Sequence, residues 1–267
     1  DVLENIEDLS ASYTVDVNGG VLKQDSIIYQ YELQNVNLPS VTVLEKSALR
    51  NLGSLKTARL NNLMSIGEGS LSYSESLETL VVPNVKQVGL AAFQQSSGIE
   101  MIYMPELEAM TGIGVFYQSS SLTRAWFPKL GNITERTFEG SVSFDELYLE
   151  SGPFSVDGGV STFADVPEDR TVYVPDGKVQ VYEQYEDDDS SDGKWYGWSV
   201  KSFSEAPNLS VFVKDLIGQL PENGQLTYGD IPQVDSLKTA YNKLTASQQT
   251  AVTDAVYAEL TEAEGFL

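Results

Sequence analysis

Four aromatic residues recur at a nearly constant spacing and are the side chains best suited to recognition. They are Tyr103, Trp126, Tyr148 and Tyr173, here called the aromatic ladder. Arg124 and Glu146 lie two positions before two of them. Adjacent strands lie ~4.8 Å apart, so four such rings on one sheet face would form a strip about 14 Å long. Aromatic platforms beside charged groups stack on sugar rings or on a partner's apolar side chains, which makes the ladder a candidate binding site.

The ladder also has a purely structural interpretation. Rings on neighbouring strands stabilise a sheet by cross-strand pairing, without any ligand. The sequence leaves both interpretations open.

An acidic segment at residues 187–193 resembles the start of a calcium loop. Such a loop has acidic residues at alternate positions, Gly at the sixth and Glu at the twelfth. Counted from Asp188, Gly193 is sixth, but the twelfth residue is Ser199. The segment is therefore predicted to be a solvated acidic loop, and neither a metal site nor a cofactor is expected.

The composition argues against catalysis. The chain has no histidine and no cysteine, which excludes histidine-based triads and thiolate or imidazole zinc sites. Phosphate-binding glycine loops and the Gly-x-Ser-x-Gly elbow are missing from the sequence. Paired carboxylates can hydrolyse a glycoside, but 39 acidic residues single out no pair. A non-enzymatic protein is expected, with an unrecognised glycan hydrolase as the alternative.

The charge narrows the class of partner. Sixteen basic and 39 acidic residues give a formal net charge of −23, which repels nucleic acid and anionic lipid. No apolar run approaches the ~20 residues that a membrane span needs, so this segment is not expected to insert into a membrane.

A repeat of about 22 residues must position the ladder. Its segments begin at Leu33, Leu55, Leu77, Ile99, Leu122 and Phe144. Each segment opens with an apolar residue, two variable positions and an apolar–variable–apolar triplet that alternates as a short strand does. Proline usually follows and ends the strand, at Pro39, Pro83, Pro105 and Pro128, with Asn61 and Glu150 as exceptions. This period and opening predict a leucine-rich-repeat solenoid, with short parallel strands and irregular or short helical returns.

Further columns strengthen this prediction. A second apolar column contains Leu44, Ile66, Val88, Met110 and Ile133, and a third contains Leu49, Leu71, Phe93, Phe116 and Phe138. Turns of small polar residues follow the third column. Together these columns resemble the BspA-type leucine-rich repeat over roughly residues 33–175, a family common on the surfaces of gut and oral bacteria. The family often has Cys in the turn, where this chain has Ser74, Ser96, Ser119 and Ser141.

The solenoid has different sequences at its two ends. Residues 1–32 are predicted to form an N-terminal cap, with a hairpin that joins residues 13–17 to residues 27–31 around Asn18-Gly19-Gly20. Residues 33–175 are the solenoid, and residues 176–205 resemble the closing segment of such arrays. Residues 206–267 have helical periodicity and are predicted to form a small three-helix module, here called the helical module.

The helical module is similar to small helical units found in tandem on surface proteins of Gram-positive bacteria, where they act as spacers. This similarity implies an exported protein. The chain begins at Asp1 without Met, and we expect a removed leader before it and a continuation towards an anchor after Leu267.

These observations predict a bacterial protein that is secreted or displayed on the cell surface. Its expected role is recognition or adhesion, by binding a host or neighbouring-cell protein along the strand face. The candidate contact residues are Tyr103, Trp126, Tyr148, Tyr173, Arg124 and Glu146. Two alternatives remain open: glycan capture by the aromatic ladder, and a structural spacer without a ligand.

Overall fold

The computed structural model describes residues 13–14, 20–185, 193–221 and 225–266, and these form a parallel β-solenoid followed by helices. The strands of the first wall are β1 (Tyr13–Thr14), β3 (Asn35–Asn37), β5 (Thr57–Arg59), β7 (Thr79–Val81), β9 (Met101–Tyr103), β11 (Arg124–Phe127), β12 (Glu146–Leu149), β13 (Thr171–Val174) and β15 (Trp198–Ser202). Those of the second wall are β2 (Val21–Leu22), β4 (Val43–Leu44), β6 (Ser65–Ile66), β8 (Gln87–Val88) and β10 (Ala109–Met110). Within each sheet the strands of successive rungs pair in parallel, as the predicted solenoid requires, and the first wall is divided into two sheets between β7 and β9.

The predicted inward columns fill the space between the walls. In the first wall Val36 pairs with Ala58, and Ala58 with Leu80, so residues of one column stack rung on rung. The second column, from Leu44 to Ile133, is at most 1% exposed. Each buried column removes apolar surface from water along the whole array, and the leucine-rich-repeat solenoid is confirmed.

The third column becomes a stack of phenylalanine rings. Phe93 and Phe116 are stacked with their ring centroids 5.0 Å apart, and Phe116 and Phe138 with theirs 5.5 Å apart. All three rings are essentially inaccessible to solvent. The stack couples neighbouring rungs through direct ring contacts.

The turns repeat a left-handed backbone conformation that side chains other than glycine rarely adopt. Ser47 and Ala91 have φ of 56° and 51° at one turn position, and Asn51 and Tyr73 have 62° and 61° at a second. Hydrogen bonds to the next rung hold these turns, such as Ser47 N–H to the Glu68 carbonyl at 2.8 Å. The array therefore offsets a local strain with a bond repeated at each rung.

The turn serines also connect rungs. The Ser96, Ser119 and Ser141 hydroxyls donate to carbonyls of the preceding rung at 2.7, 2.9 and 2.9 Å. All three side chains are buried. Serine therefore has a satisfied hydrogen bond in these three turns, whereas the buried Ser74 hydroxyl has no hydrogen-bond partner among the described residues.

The hairpin predicted at the N-terminus is wrong in its second strand. Residues 27–31 form turns, and Ile27 is buried at the place that Leu49 holds in the next rung. β1 and β2 pair in parallel with β3 and β4. The apolar alternation at residues 27–31 is the turn of one more rung, since the 22-residue period continues upstream of Leu33. Asn18 and Gly19 of the predicted hairpin turn lie outside the described residues.

The array ends in an aromatic layer. β14 (Lys194–Trp195) pairs antiparallel with β15, and helix α1 (Val179–Glu183) packs beside them. Tyr182, Trp195 and Trp198 are completely buried in this layer. Rings in the closing segment therefore cover the last rung of the core, as a terminal rung requires. Residues 187–192 of the acidic segment lie outside the described part of the chain.

In the part of the chain that the structure describes, four α-helices follow the solenoid. They are α2 (Leu209–Ile217), α3 (Ile231–Asn242), α4 (Ala246–Ala251) and α5 (Asp254–Phe266). Thr245 and Gln248 form a capping box at the start of α4 with two reciprocal hydrogen bonds. The third predicted helix is divided at Val252, whose extended backbone separates α4 from α5 and whose side chain is buried.

Candidate functional site

The rings of the aromatic ladder lie side by side on β9, β11, β12 and β13. Tyr103 pairs in register with Trp126, Trp126 with Tyr148, and Tyr148 with Tyr173. Successive ring centroids are 5.1, 6.0 and 5.0 Å apart. The sheet therefore assembles a continuous aromatic surface.

The helical module covers this surface. Trp126 and Tyr148 have no exposed area, and Tyr103 and Tyr173 are 8% and 4% exposed. Phe212 of α2 lies 6.2 Å from the Trp126 ring and 5.7 Å from the Tyr148 ring, measured between centroids. A helix with an apolar face must bury it, and the ladder is the apolar face that the sheet offers.

The two charged residues beside the ladder contact α2 as well. Glu146 is buried, and its carboxylate accepts from the Tyr148 hydroxyl at 3.0 Å and from the Asn208 amide at 2.7 Å. The Arg124 guanidinium carbon lies 6.0 Å from the centroid of the Phe212 ring. Asn208 directly precedes α2, so both predicted contact residues help to hold this helix on the sheet.

Burial keeps the ladder phenols neutral. It raises the pKa of Tyr148 far above its usual range, and the nearby Glu146 carboxylate raises that pKa further. Burial also raises the pKa of Tyr103, with smaller contributions from Glu150 and Glu106. The Tyr103 hydroxyl donates to the Ser236 carbonyl of α3 at 3.3 Å.

Polar contacts hold both ends of α3 on the solenoid, and sequence reasoning missed them. Asn61 donates to the Asp230 carboxylate at 2.9 Å, with both residues buried. At the other end the Lys243 ammonium lies 2.6 Å from the Glu150 carboxylate. Asn61 and Glu150 are the two exceptions in the proline column. Departure from the repeat was therefore the signal that identifies them.

Arg59 adds a third polar contact near Asn61. Its guanidinium donates to the Gln233 side chain at 3.2 Å and to the Gln219 carbonyl at 2.5 Å. Burial lowers the pKa of Arg59, and the Asp230 carboxylate opposes that shift.

Among the described residues, a small cavity and two wider grooves lie beside the helical module. The larger, here called the proline groove, has a volume of about 590 Å³ between the proline column and α3. Its floor includes Pro83, Pro105, Pro128 and Tyr103, and α3 lines the other side. A smaller groove of about 290 Å³ lies near Arg124 and is bordered by Glu78, Glu100 and Asp215. The proline groove has the size of a typical ligand site.

The described residues offer few other kinds of site. Within them, no group of three or more acidic residues is arranged to hold a metal ion. No helix in this part of the chain is long and apolar enough to cross a membrane. The Asn132 side-chain amide accepts from the Met110 backbone N–H at 3.0 Å and donates to the Met110 carbonyl at 2.8 Å.

Comparison with known families agrees with this architecture. Residues 24–151 match the BspA type leucine rich repeat region in six copies. The repeat region of this chain is therefore a BspA-type leucine-rich-repeat region. No curated protein matches the chain.

One solved structure supports the same fold. The chain is similar to a leucine-rich-repeat protein of T. pallidum, with a TM-score of 0.51 and 18% identity over 58% of this chain and 78% of that one. It also aligns with a leucine-rich cell surface protein from Faecalibacterium prausnitzii (TM-score 0.46, 20% identity, 55% of this chain and 40% of that one). The pneumococcal vaccine antigen PcpA aligns with a TM-score of 0.46 and 16% identity, over 55% of this chain and 38% of that one. The similarity to the helical spacers of Gram-positive surface proteins is not confirmed.

Proposed function

We propose that the protein is a non-enzymatic recognition protein of a bacterial surface that binds a partner protein in the proline groove. The BspA-type repeat region supports the surface location and the binding role. The observation that carries the choice of groove is the burial of Trp126 and Tyr148 under the helical module. The chain's own helices already occupy the ladder, so a partner meets its edges.

The contact residues predicted from the sequence fall into two groups: those that line a groove and those that the helical module covers. Tyr103 lines the proline groove, where a partner reaches its edge, and Arg124 lines the smaller groove. Trp126, Tyr148, Tyr173 and Glu146 contact a partner only if the helical module leaves the sheet. We therefore propose Tyr103 as the ladder residue that takes part in recognition with the module in place.

The two alternatives predict different outcomes. Glycan capture by the ladder requires exposed ring faces, which Trp126 and Tyr148 lack. A spacer predicts no ligand at all.

A groove-filling variant tests the proposal on an array of purified host matrix proteins, bacterial surface proteins and glycans. Thr239 is exposed on α3 and lines the groove, so Thr239→Trp fills the space. Thr261→Trp is the matched control, because both hydroxyls bond the carbonyl four residues earlier in a helix and Thr261 lies on α5.

A protein ligand lost in Thr239→Trp and retained in Thr261→Trp would support the proposal. A protein ligand that binds both variants equally would place recognition elsewhere. Glycan ligands alone would favour the glycan alternative, and an array without any ligand would favour the spacer.

A further inference from the structure

The shape and charge of the proline groove indicate what kind of segment it takes. We propose that the groove binds an extended peptide segment carrying Lys or Arg. This inference rests on the proposed function and adds the chemistry of the partner.

The length of the groove follows from the rungs that border it. Pro83, Pro105, Pro128 and Glu150 occupy the same position in four successive rungs. Three steps of ~4.8 Å give a length of about 14 Å, which is about four residues of extended chain.

The cross-section favours an extended chain over a helix. A volume of about 590 Å³ spread over about 14 Å gives a mean section of about 40 Å². An α-helix with side chains is about 10–12 Å across and needs roughly twice that area. Strand and sheet spacings of about 4.8 and 10 Å give an extended chain a section of about 50 Å², which is close to the available area.

One end of the groove is closed and the other is open. The Glu150–Lys243 pair joins the last bordering rung to the end of α3. At the opposite end Ile231 borders the groove and is 37% exposed, and Tyr228 just before it is 78% exposed. A partner segment therefore enters over this apolar end, where exposed aromatic and aliphatic side chains are typical interface anchors.

Charge selects a basic segment. Two lysines border the groove, and each is already paired: Lys129 with Glu106 and Lys243 with Glu150. Asp235 also borders the groove and is exposed, and its carboxylate has no ion pair or hydrogen bond among the described residues. Lys238, which interacts with Asp235 electrostatically, is itself paired with Glu264. A net charge of −23 attracts cations over a longer range, and Asp235 is the local carboxylate left to receive one.

The probe is a random heptapeptide library displayed on phage and selected against the whole chain, followed by binding of the selected peptides in solution. We expect enrichment of Lys and Arg, with binding abolished by Thr239→Trp. Asp235→Asn is expected to weaken binding about three- to tenfold, and to a greater extent at low salt. The matched control is Asp215→Asn, an exposed carboxylate of α2 that borders the other groove.

The outcomes test separately whether the groove binds the peptide and whether it prefers basic residues. Peptides that Thr239→Trp abolishes but that lack basic residues, or that are insensitive to Asp235→Asn, would overturn the charge inference and leave the groove standing. Peptides insensitive to Thr239→Trp would overturn both. Failure to select any peptide would overturn the extended-segment inference alone, since the protein array tests the groove independently.

Discussion

The molecule contains two apolar interiors, and they are built differently. Inside the solenoid each residue contacts its own equivalents in the rungs before and after, as Phe116 does with Phe93 and Phe138. Between the aromatic ladder and the helical module every contact is unique, such as that between Trp126 and Phe212. The first interior distributes stability along an array, whereas the second depends on a few individual residues.

The polar contacts differ in the same way. Cross-rung bonds in the solenoid recur at equivalent turns, as the Ser96, Ser119 and Ser141 hydroxyls show. The module is held by single polar contacts, including Asn61 with Asp230. Loss of one turn bond leaves equivalents on either side, but loss of a module contact leaves a buried group without its partner.

The largest expected effect is in the solenoid. Phe116→Ala removes a ring that stacks on two neighbours and leaves a cavity, so we expect a loss of about 3–5 kcal/mol in the free energy of unfolding. Because the rungs are coupled, the strands and the helical module should unfold in one transition at lower denaturant concentration. Denaturant titrations followed by far-ultraviolet circular dichroism would measure this. Separate transitions for strands and helices would contradict the coupling.

At the aromatic ladder we expect a comparable or smaller loss in the free energy of unfolding, and the unfolding should be local. Trp126→Ala removes the ring against which Phe203 and Phe212 pack, and we expect about 3–4 kcal/mol. The helical module should open while the solenoid keeps its repeated core. Hydrogen exchange should accelerate in residues 209–217 much more than in β8 and β10 on the opposite wall.

Trp126→Phe is the matched control for this comparison. The Trp126 indole N–H is buried without a hydrogen-bond partner among the described residues, so phenylalanine keeps ring contacts and leaves no described group unpaired. We expect a smaller loss than in the alanine variant. Equal acceleration of exchange in both walls of Trp126→Ala would show that the module is integral to the solenoid fold.

The repeat explains how much of this structure the sequence could predict. Periodic columns predict the two walls, the phenylalanine stack and the adjacency of the ladder rings, because the same residue pattern recurs in several rungs of one chain. The N-terminal hairpin prediction was wrong because it did not extend the repeat upstream of Leu33. Comparison of Ile27 with Leu49 in the next rung identifies Ile27 as a turn residue.

The covering of the ladder could not be predicted in this way. The outward rings and the apolar face of α2 are each visible in the sequence, but the chain contains one copy of the module and no period that relates it to the sheet. The residues that hold it, Asn61 and Glu150, are visible only as departures from the proline column.

Asn61 provides the third test, with a smaller effect. Asn61→Ala removes a donor to the buried Asp230 carboxylate, and we expect a loss of about 1–3 kcal/mol, localised to the module. Asn62→Ala is the control, because that exposed side chain bonds the Pro39 carbonyl within the solenoid. Thermal unfolding and hydrogen exchange of α3 would compare them. Equal losses in both variants would remove the distinction between shared and individual contacts.

The last test uses pH to weaken the second interior. The pKa values of Tyr103 and Tyr148 are raised in the folded protein, whereas an unfolded tyrosine titrates near pH 10. Below about pH 10 both phenols are protonated in both states and their contribution is complete. Above it the unfolded chain loses protons that the folded chain retains, so stability should fall by about 1.4 kcal/mol per pH unit for each phenol. Tyr148→Phe should reduce this slope, because it removes one of the two phenols whose pKa is raised. An unchanged slope in Tyr148→Phe would show that this phenol is not held neutral by the contact between ladder and module.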